Sequence, residues 1–313
     1  MPAPLYSEQF WIAYHKAVTG IVECKDGAGA SKTVKGTFDD LIARYYGSAG
    51  FASKAVATQR NYRSVLEPFR KKHGNKPVAL VEPVHLDAIL GDIAKNSTSS
   101  AHNLRKRMFL IFRLAVKWGF RTDNPMLLVD RVQHKARGYE TWTEDDIVKF
   151  CARWKEGTPQ RIAFEILLYT GLRRSDAVRL GPPHIQGDHI VITTRKTGAE
   201  VTIPLHPRFR AVLETIKHQH LVFIATERGA ARSEFAFTNW IIDAAKEAGL
   251  PPHRSPHGLR KAACVRLADA GCDVFEIMAI TGHADIKEVQ TYVAAANKKK
   301  KAQSAITKAY GAA

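Results

Sequence analysis

Residues 255–260 have the sequence Ser-Pro-His-Gly-Leu-Arg, and this stretch gives the sharpest local prediction in the chain. Serine followed by proline is typical of a helix start, with Ser255 as the N-cap and Pro256 as the first helical residue. His257 and Arg260 are three residues apart, so they share one face of the first turn, beside backbone N–H groups that favour an anion. The stretch predicts a helix end that presents an imidazole and a guanidinium to a negatively charged group.

A second stretch, Thr-Gly-Leu-Arg-Arg-Ser-Asp at 170–176, lies earlier in the same half of the chain. Gly171 is predicted to end the apolar helix 162–170, and a new helix is predicted to begin just after it. Arg173 and Asp176 are three residues apart, so the carboxylate can orient the guanidinium. For the heptapeptide alone, an ordinary surface ion pair is the simpler interpretation.

Further candidates follow on both sides of residues 255–260. The runs 189–194 and 200–203 flank a turn with the sequence Arg-Lys-Thr-Gly, which predicts a β-hairpin carrying Lys196 at its tip. His283 follows a glycine, and Tyr292 lies on a predicted helix with apolar neighbours. Taken singly, His283 is more typical of a structural histidine and Tyr292 of a core residue.

The composition is that of a globular, strongly basic protein. The 313 residues include 47 lysines and arginines against 30 aspartates and glutamates, which gives a net charge of +17 and a pI near 9.8. Hydrophobic residues make up 45% of the chain, so a largely disordered protein is excluded. No run of about 18 apolar residues predicts a membrane span, and the N-terminus lacks the features of a secretory signal. The cysteines show no metal-site spacing. We therefore expect a soluble intracellular protein with a polyanion as its partner.

Helix signals and a polar linker divide the chain into parts. Four helices are predicted before the linker, beginning at residue 37 and covering 58–73, 83–95 and 101–118, and together they predict a small bundle. Thr143 and Asp146 have capping-box spacing and predict the first helix of the second part. The predicted divisions are an N-terminal extension at 1–34, a helical domain at 35–130, a linker at 131–140 and a mostly helical domain with a small sheet at 141–313. In the extension, Lys32 follows Ser31 rather than glycine, so no ATP-binding loop is predicted.

The last helix of the bundle is the strongest candidate for contact with a phosphate backbone. Residues 101–121 contain no acidic residue, and an apolar stripe at helical spacing predicts one buried face. The opposite face is predicted to bind DNA phosphates, and the alternative is a merely solvated basic surface. Its basic residues are Arg105, Lys106, Arg107, Arg113, Lys117 and Arg121.

The motifs in order resemble the tyrosine recombinase (phage integrase) family. The resemblance runs through TGLRRSD at 170–176, RKTG at 195–198, PHGLR at 256–260, TGH at 281–283 and TYV at 291–293, and it covers about residues 37–310. By position it implies two catalytic arginines, a hairpin lysine, two histidines, a nucleophilic tyrosine and a supporting aspartate. These are Arg173, Arg260, Lys196, His257, His283, Tyr292 and Asp176.

The resemblance also implies a fold and a mechanism. The fold would be mainly α, with a helical, SAM-like core-binding domain and a mostly helical catalytic domain with a small antiparallel sheet, forming a C-shaped clamp around double-stranded DNA. The activity would be site-specific recombination, which integrates or excises a mobile element through a 3′-phosphotyrosine intermediate without metal or cofactor. We expect a tetramer on paired sites that exchanges its C-terminal helices, accessory DNA-bending proteins as further partners, and a cytoplasmic location at the nucleoid.

Within the implied mechanism, each side chain has a chemical task. Guanidinium groups offer paired donors to the non-bridging oxygens, histidines assist with hydrogen bonds and proton movement, and Lys196 would protonate the departing 5′-oxygen. Tyr169, in an apolar run, and Tyr310, after the lysines at 298–301, are weaker candidates for the nucleophile. Those lysines and a predicted last helix are either a solvated tail or a docking element.

Two alternatives to a recombinase stay open from the sequence. A type IB topoisomerase uses a closely related set of arginine, lysine, histidine and tyrosine residues. A non-catalytic DNA-binding regulator on the same scaffold is the other, although such a protein has no need of Tyr292. The stretch before the bundle is shorter than expected for a complete arm-type DNA-binding domain.

Overall fold

The computed structural model describes residues 33–134, 138–216 and 220–311. Nearly all of the predicted N-terminal extension, including Lys32, and residues 135–137 of the predicted linker lie outside the described residues. The chain divides into two compact units, Met1–Ala136 and Arg137–Ala313. Among the described helices, none is long and apolar enough to cross a membrane.

The first unit is an all-helical bundle. Thr37 caps its first helix by accepting a hydrogen bond from the backbone N–H of Asp40. The helices pack around a core rich in aromatic residues, in which Phe38 meets Phe69 and Phe112 edge to face. The helices are α1 (Phe38–Tyr46), α2 (Ala49–Ala52), α3 (Val56–His73), α4 (Pro83–Asn96) and α5 (Thr98–Lys117).

The four helices predicted for this unit are present, with two differences. The single-turn helix α2 was not predicted, because four residues are too few to show a helical period. Helix α5 begins at Thr98, three residues before its predicted start, because the hydroxyl of Ser97 accepts the backbone N–H of Ser100 and caps the helix there.

The second unit contains eight α-helices within its described residues and a small sheet. Its helices are α6 (Glu144–Arg153), α7 (Pro159–Thr170), α8 (Arg174–Ala177), α9 (Pro207–Glu214), α10 (Glu234–Glu247), α11 (Pro256–Ala270), α12 (Val274–Thr281) and α13 (Ile286–Tyr310). The strands are β1 (Ile185–Gln186), β2 (His189–Thr193) and β3 (Glu200–Pro204). They form an antiparallel sheet in the order β1-β2-β3, with Ile190 opposite Ile203. The predicted hairpin is therefore confirmed, and the two-residue strand β1 is an addition to it.

Local capping and a common core hold the elements of this unit in place. Thr143 and Asp146 exchange the two hydrogen bonds of the predicted capping box at the start of α6. In the core between α6 and α7, Trp142 meets Phe150 edge to face and Phe150 stacks on Phe164. The indole N–H of Trp142 also donates to the backbone oxygen of Ser255 at 3.1 Å, which ties the start of α11 to this core.

The C-terminal segment differs from its prediction. Helix α13 runs without a break from Ile286 to Tyr310, so the separate last helix predicted after the lysines is wrong. Lysine has a high helix propensity, and its charged end reaches solvent from any exposed helical position, so the run 298–301 continues the helix.

Candidate active site

Two helices of the second unit end in the same way, and their ends form the base of the site. Helix α7 ends at Thr170 and α12 at Thr281, and each is followed by a left-handed glycine, Gly171 with φ 58° and Gly282 with φ 65°. Each threonine hydroxyl donates to the carbonyl oxygen four residues earlier, at 2.6 and 2.7 Å. The left-handed glycine stops the helix and leaves carbonyl oxygens to be satisfied from outside.

Two arginines satisfy these carbonyls. Arg260, only 2% exposed on α11, donates through Nη1 to the oxygens of Gly171 at 2.6 Å and Thr281 at 2.9 Å. Arg173 donates through Nη1 to the oxygen of Gly282 at 3.0 Å. The Nη2 of Arg260 is buried and, among the described residues, has no hydrogen-bond acceptor. An unpartnered buried donor of this kind is costly unless a ligand completes it, so it fits an anion.

A cavity of about 300 Å³ gathers the residues that the sequence singled out. All six proposed catalytic side chains line it, although their elements are far apart in the chain. Three further lining residues were not predicted. Glu288 precedes Tyr292 by one helical turn on α13, and this spacing could have identified Glu288 as a neighbour of Tyr292. No sequence pattern distinguishes Lys261 and Thr291 as site residues. The lining residues are Arg173, Lys196, His257, Arg260, Lys261, His283, Glu288, Thr291 and Tyr292.

Both histidines of the cavity are neutral in the free protein at pH 7. Desolvation by surrounding protein, reinforced by the positive charges of Arg260 and Lys261, lowers the pKa of His257 to about 4. Part of this imidazole remains exposed, and its ring packs on Tyr139 with the ring centres 4.4 Å apart. His283 is 8% exposed, and burial together with Arg260 and Arg173 lowers its pKa to about 3.

Tyr292 is protonated in the free protein. Burial and the neighbouring Cys264 raise the pKa of its hydroxyl to about 12, against an opposing effect of the Arg260 charge. The two other tyrosines considered as nucleophiles do not line the cavity. Tyr169 stacks on Phe209, with the ring centres 5.1 Å apart, and Tyr310 is 83% exposed at the far end of α13.

Asp176 does not orient Arg173, so the predicted local pair is wrong. Its buried Oδ1 accepts hydrogen bonds from the backbone N–H of Arg195 at 2.8 Å and from Nη2 of Arg179 at 2.9 Å. Arg173 is the N-cap residue of α8 and its side chain turns to Gly282 instead. Asp176 therefore fixes the start of the hairpin turn, one residue before the exposed Lys196.

The start of α11 agrees with the sequence except for one contact. Pro256 is the first helical residue, and His257 and Arg260 lie in the first turn. Ser255 occupies the N-cap position, but its hydroxyl makes no capping bond and is buried without a hydrogen-bond partner among the described residues.

The basic helix α5 of the first unit presents fewer free charges than its sequence predicts. Arg105 donates through Nε and Nη2 to the backbone oxygens of Asp130 and Val129, at 2.8 and 2.9 Å. Just beyond α5, Arg121 donates to two carbonyl oxygens, at 3.1 and 2.8 Å, and pairs with Asp123. Both guanidiniums are used to hold neighbouring segments of the unit.

Arg107 is also held inside the unit. Its guanidinium lies 3.7 Å from the centre of the Tyr62 ring, a cation–π contact. The three remaining basic residues of the helix, Lys106, Arg113 and Lys117, are exposed. The predicted DNA-contacting set is therefore divided into anchored arginines and free cations. Across the described part of the chain, no group of three or more His, Cys, Asp or Glu side chains is placed to hold a metal ion.

Sequence comparisons find two family matches along the chain. The profile of the phage integrase family matches residues 141–299, about half of the chain, and that of the phage integrase central domain matches residues 38–131. The integrase of Escherichia phage HK022 is 26% identical over 149 residues, which cover 47% of this chain and 42% of the phage protein. The tyrosine recombinase XerD of Neisseria meningitidis is 26% identical over 221 residues, which cover 65% of this chain and 74% of that protein.

Solved structures share the fold. A lambda integrase fragment, residues 75–356 of that protein, crystallised as a dimer bound to a COC′ core site, superposes with a TM-score of 0.74 at 22% identity, covering 82% of this chain and 95% of the other. A lambda integrase tetramer bound to a Holliday junction gives a TM-score of 0.72 at 20% identity, covering 90% and 89%.

Proposed function

The chain belongs to the phage integrase family, and from that premise we propose that it is a site-specific DNA recombinase that cuts and rejoins strands through a 3′-phosphotyrosine at Tyr292. The observation that carries the proposal is the cavity in which Arg173, Arg260 and Tyr292 meet, with a buried guanidinium donor of Arg260 left open. A pure DNA-binding regulator has no use for this arrangement.

The two arginines bind and polarise the scissile phosphate. Each is already fixed through one nitrogen to the backbone of a helix end, so the free donors are preorganised and need no ordering when DNA arrives. Negative charge grows on the non-bridging oxygens as the attacking and leaving oxygens become apical, and forked guanidiniums stabilise this charge better than ammonium groups do.

The nucleophile is activated by the substrate complex. A hydroxyl with a pKa near 12 does not ionise in the free protein at neutral pH, so its proton must leave as the phosphorus–oxygen bond forms. The product is a 3′-phosphotyrosine and a free 5′-hydroxyl. The reverse reaction, with the 5′-hydroxyl of another strand, rejoins the DNA.

Lys196 supplies the proton for the leaving 5′-oxygen. It stands in the turn of the β2–β3 hairpin, lines the cavity and is otherwise exposed, so the ammonium group can reach the bridging oxygen from the solvent side. Asp176 supports this role indirectly, because it holds the backbone of the preceding residue.

We extend the proposal to the partners. Residues 35–130 would be the core-binding domain, 141–313 the catalytic domain and 131–140 the linker, and each domain binds double-stranded DNA. Lysine and arginine residues of α5 contact its backbone. The last turns of α13 expose Ile306 and Tyr310, which supports docking on a neighbouring subunit of a tetramer on paired sites. The recombinase integrates or excises a mobile DNA element. The reaction takes place at the nucleoid and involves accessory DNA-bending proteins.

The test is covalent capture on nicked duplexes. The substrate is a library of duplexes with randomised centres, each carrying a nick close to the random segment. Cleavage between the random segment and the nick releases a short fragment with a 5′-hydroxyl. Because this fragment diffuses away, the strand cannot be rejoined and the covalent adduct accumulates. Wild-type protein should form an SDS-resistant adduct whose peptide maps to Tyr292, and Tyr292→Phe should retain duplex binding and form none. Tyr169→Phe is the matched control, because this tyrosine lies outside the cavity and stacks on Phe209, and it should behave as wild type.

Covalent capture, together with an assay on supercoiled plasmid, separates the alternatives. Duplex binding without any adduct would overturn the proposal in favour of a regulator. Relaxation of a supercoiled plasmid without a preferred site, by protein at concentrations at which it is monomeric, would favour a type IB topoisomerase-like activity.

A further inference from the structure

Residues 139–142, which we call the crossing segment, run across the first turns of α11 just before α6 begins. Nζ of Lys261 donates to the backbone oxygen of Tyr139 at 2.8 Å. The backbone N–H of Trp142 donates more loosely, at 3.5 Å, to the backbone oxygen of Gly258. Gly258 and Lys261 are three residues apart and share one face of α11, so the crossing segment is attached along that face.

Gly258 allows the crossing segment to approach α11 closely. It lies inside the first turns of the helix, where glycine is among the least favourable residues. A Cβ atom at this position would overlap the backbone oxygen of Glu140 and come within 2.9 Å of the Trp142 indole. A larger residue would therefore push the crossing segment away from the helix. In this chain, the passage of the segment accounts for the glycine between His257 and Arg260.

The side chain of Tyr139 packs on His257. The ring centres are 4.4 Å apart and the ring planes are inclined at 49°, which is contact between two aromatic side chains. Within the part of the chain that the structure describes, the imidazole of His257 makes no hydrogen bond, so no polar contact fixes the plane of its ring. Lys261 lies one turn after His257 on α11 and holds the backbone of Tyr139. Both rings are thus anchored to the same helix.

We infer that Tyr139 is a positioning residue, whose ring covers one face of the His257 imidazole and fixes its plane in the cavity. The part of this inference that concerns cleavage rests on the proposed function. His257 lines the same cavity as Arg260, and a neutral imidazole has one N–H that can donate to a phosphate oxygen. A ring that is already held in place needs no ordering when DNA binds, which lowers the cost of forming the reactive complex.

The charge state of His257 depends on the same contact. Burial is the largest cause of its low pKa, about 4, and the Tyr139 ring supplies part of that burial. Without the ring, water would reach the imidazole and stabilise its protonated form, so the pKa would rise toward the ordinary value of 6.5. The charged neighbours would stay in place, so the rise would report the ring alone. Arg260, Lys261 and Arg173 lower this pKa and Glu288 raises it, and the other titratable groups of the cavity are Lys196, His283 and Tyr292.

NMR spectroscopy of the free protein tests the contact without DNA. The imidazole C–H signals of His257 are identified by their loss in His257→Gln, and in wild type they should show nuclear Overhauser effects to the Tyr139 ring. Tyr139→Ala should raise the pKa of His257 from about 4 to about 5 or above. Tyr139→Phe keeps the ring and is the matched control, so it should leave the pKa unchanged.

Gly258→Ala gives a second, independent way to remove the contact. The added methyl group should lift the crossing segment off α11 and raise the pKa of His257 as Tyr139→Ala does. Because both substitutions remove the same contact, the double variant should show no further rise beyond the larger single effect. Additive effects would mean that Gly258 and Tyr139 act on His257 separately, which would overturn the role of the crossing segment.

Single-turnover cleavage of the nicked duplex tests the consequence for catalysis. Tyr139→Ala should slow adduct formation by about 10-fold, less than the roughly 10²–10⁴-fold contribution of a complete general acid or base, with duplex binding unchanged. Tyr139→Phe should restore the rate. A loss in Tyr139→Phe as large as that in Tyr139→Ala would assign the effect to the hydroxyl and overturn the inference.

The two measurements keep the inference and the proposed function apart. An unchanged pKa of His257 in Tyr139→Ala, or no Overhauser effect between the rings in wild type, overturns the inference whatever the cleavage rate. A raised pKa with an unchanged rate overturns the positioning role. A wild-type protein that forms no adduct refutes the proposed function, while the spectra still decide whether Tyr139 holds His257.

Discussion

Arginines of the cavity and Arg105 of helix α5 are both held by hydrogen bonds to backbone carbonyl oxygens, but they differ in the donors that remain unused. Arg260 donates from a single nitrogen to two carbonyl oxygens, and its buried Nη2 has no hydrogen-bond acceptor among the described residues. Arg105 donates from two different nitrogens, Nε and Nη2, to carbonyls of the segment after α5. The first arrangement fixes a guanidinium and leaves a donor for a ligand, whereas the second uses the guanidinium to join two segments of the bundle.

The comparison shows that the number of positive charges on a helix overstates the number of hydrogen-bond donors that the helix can offer to a ligand. The useful quantity is the number of donors left after the protein's own carbonyls are satisfied. By that measure, Lys106, Arg113 and Lys117 are the candidates for phosphate contact on α5, and Arg105 is not. The predictions below test this distinction, beginning with the largest effect.

Arg260→Lys keeps the positive charge but removes the guanidinium group with its paired hydrogen-bond donors. A lysine cannot satisfy both Gly171 and Thr281 and also leave a fixed donor for the phosphate, so adduct formation should fall by about 10³-fold, the loss typical of one preorganised transition-state donor. The measurement is single-turnover cleavage under saturating protein, so that weaker binding does not mask the chemistry. The exposed Arg228→Lys is the matched control and should cleave normally. Near wild-type cleavage by Arg260→Lys would refute the claim that the paired donors of the guanidinium are needed.

Lys196→Ala should slow cleavage by about 10²-fold, because the 5′-oxygen would leave without its proton. Replacing that bridging oxygen by sulfur gives a leaving group that needs no proton, so Lys196→Ala should recover most of its rate on the sulfur substrate. Arg173→Ala should not recover, since the guanidinium acts on the non-bridging oxygens. Equal losses on both substrates would assign Lys196 to positioning, and His257 would become the next candidate for the acid.

Local signals explain which parts of the site were predictable. The helix start at Pro256, the capping box of Thr143 and Asp146 and the hairpin around Lys196 depend on residues a few positions apart, so the sequence determines them directly. The ordered motifs were sufficient to indicate the family.

Long-range bonds explain what was missed. The partner of Arg105 lies 25 residues away, Arg173 turns to a carbonyl 109 residues away, and Asp176 holds an amide 19 residues away. No spacing rule within one helix reveals such partners, so side-chain identity alone assigned Asp176 to the wrong arginine and counted Arg105 as free. The open donor of Arg260 is likewise visible only once two helix ends meet.

The triple variant Lys106→Gln, Arg113→Gln and Lys117→Gln should weaken duplex binding and reduce the slope of log K against log salt by about three, one for each phosphate that is no longer neutralised. Binding would be measured from low to moderate salt by fluorescence anisotropy. Arg105→Gln should lower the melting temperature of the protein and change that slope little. If Arg105→Gln reduces the slope as loss of a free cation does while the melting temperature stays constant, the division of the helix into anchored arginines and free cations is wrong.

A third kind of arginine, paired with a carboxylate, gives the smallest predicted effect. Nε of Arg254 lies 2.7 Å from Oδ2 of Asp146, and both side chains are largely buried. Burial alone would raise the pKa of Asp146, but the N–H of Thr143 and the guanidinium outweigh it and lower the pKa below its ordinary value.

Because the folded pKa of Asp146 is the lower one, the stabilisation is complete at pH values above the ordinary pKa of 3.8 and is lost as the pH falls through the folded value. Asp146→Asn should therefore lower the free energy of unfolding by about 1 kcal/mol at pH 7, and the difference from wild type should shrink as the pH falls below about 4. Urea unfolding at several pH values measures this difference, with the exposed neighbour Asp145→Asn as control. A difference that stayed constant down to the lowest pH would mean that the asparagine variant is destabilised by altered packing or capping and not by the lost charge, and Arg254 would then be held by its surroundings rather than by the pair.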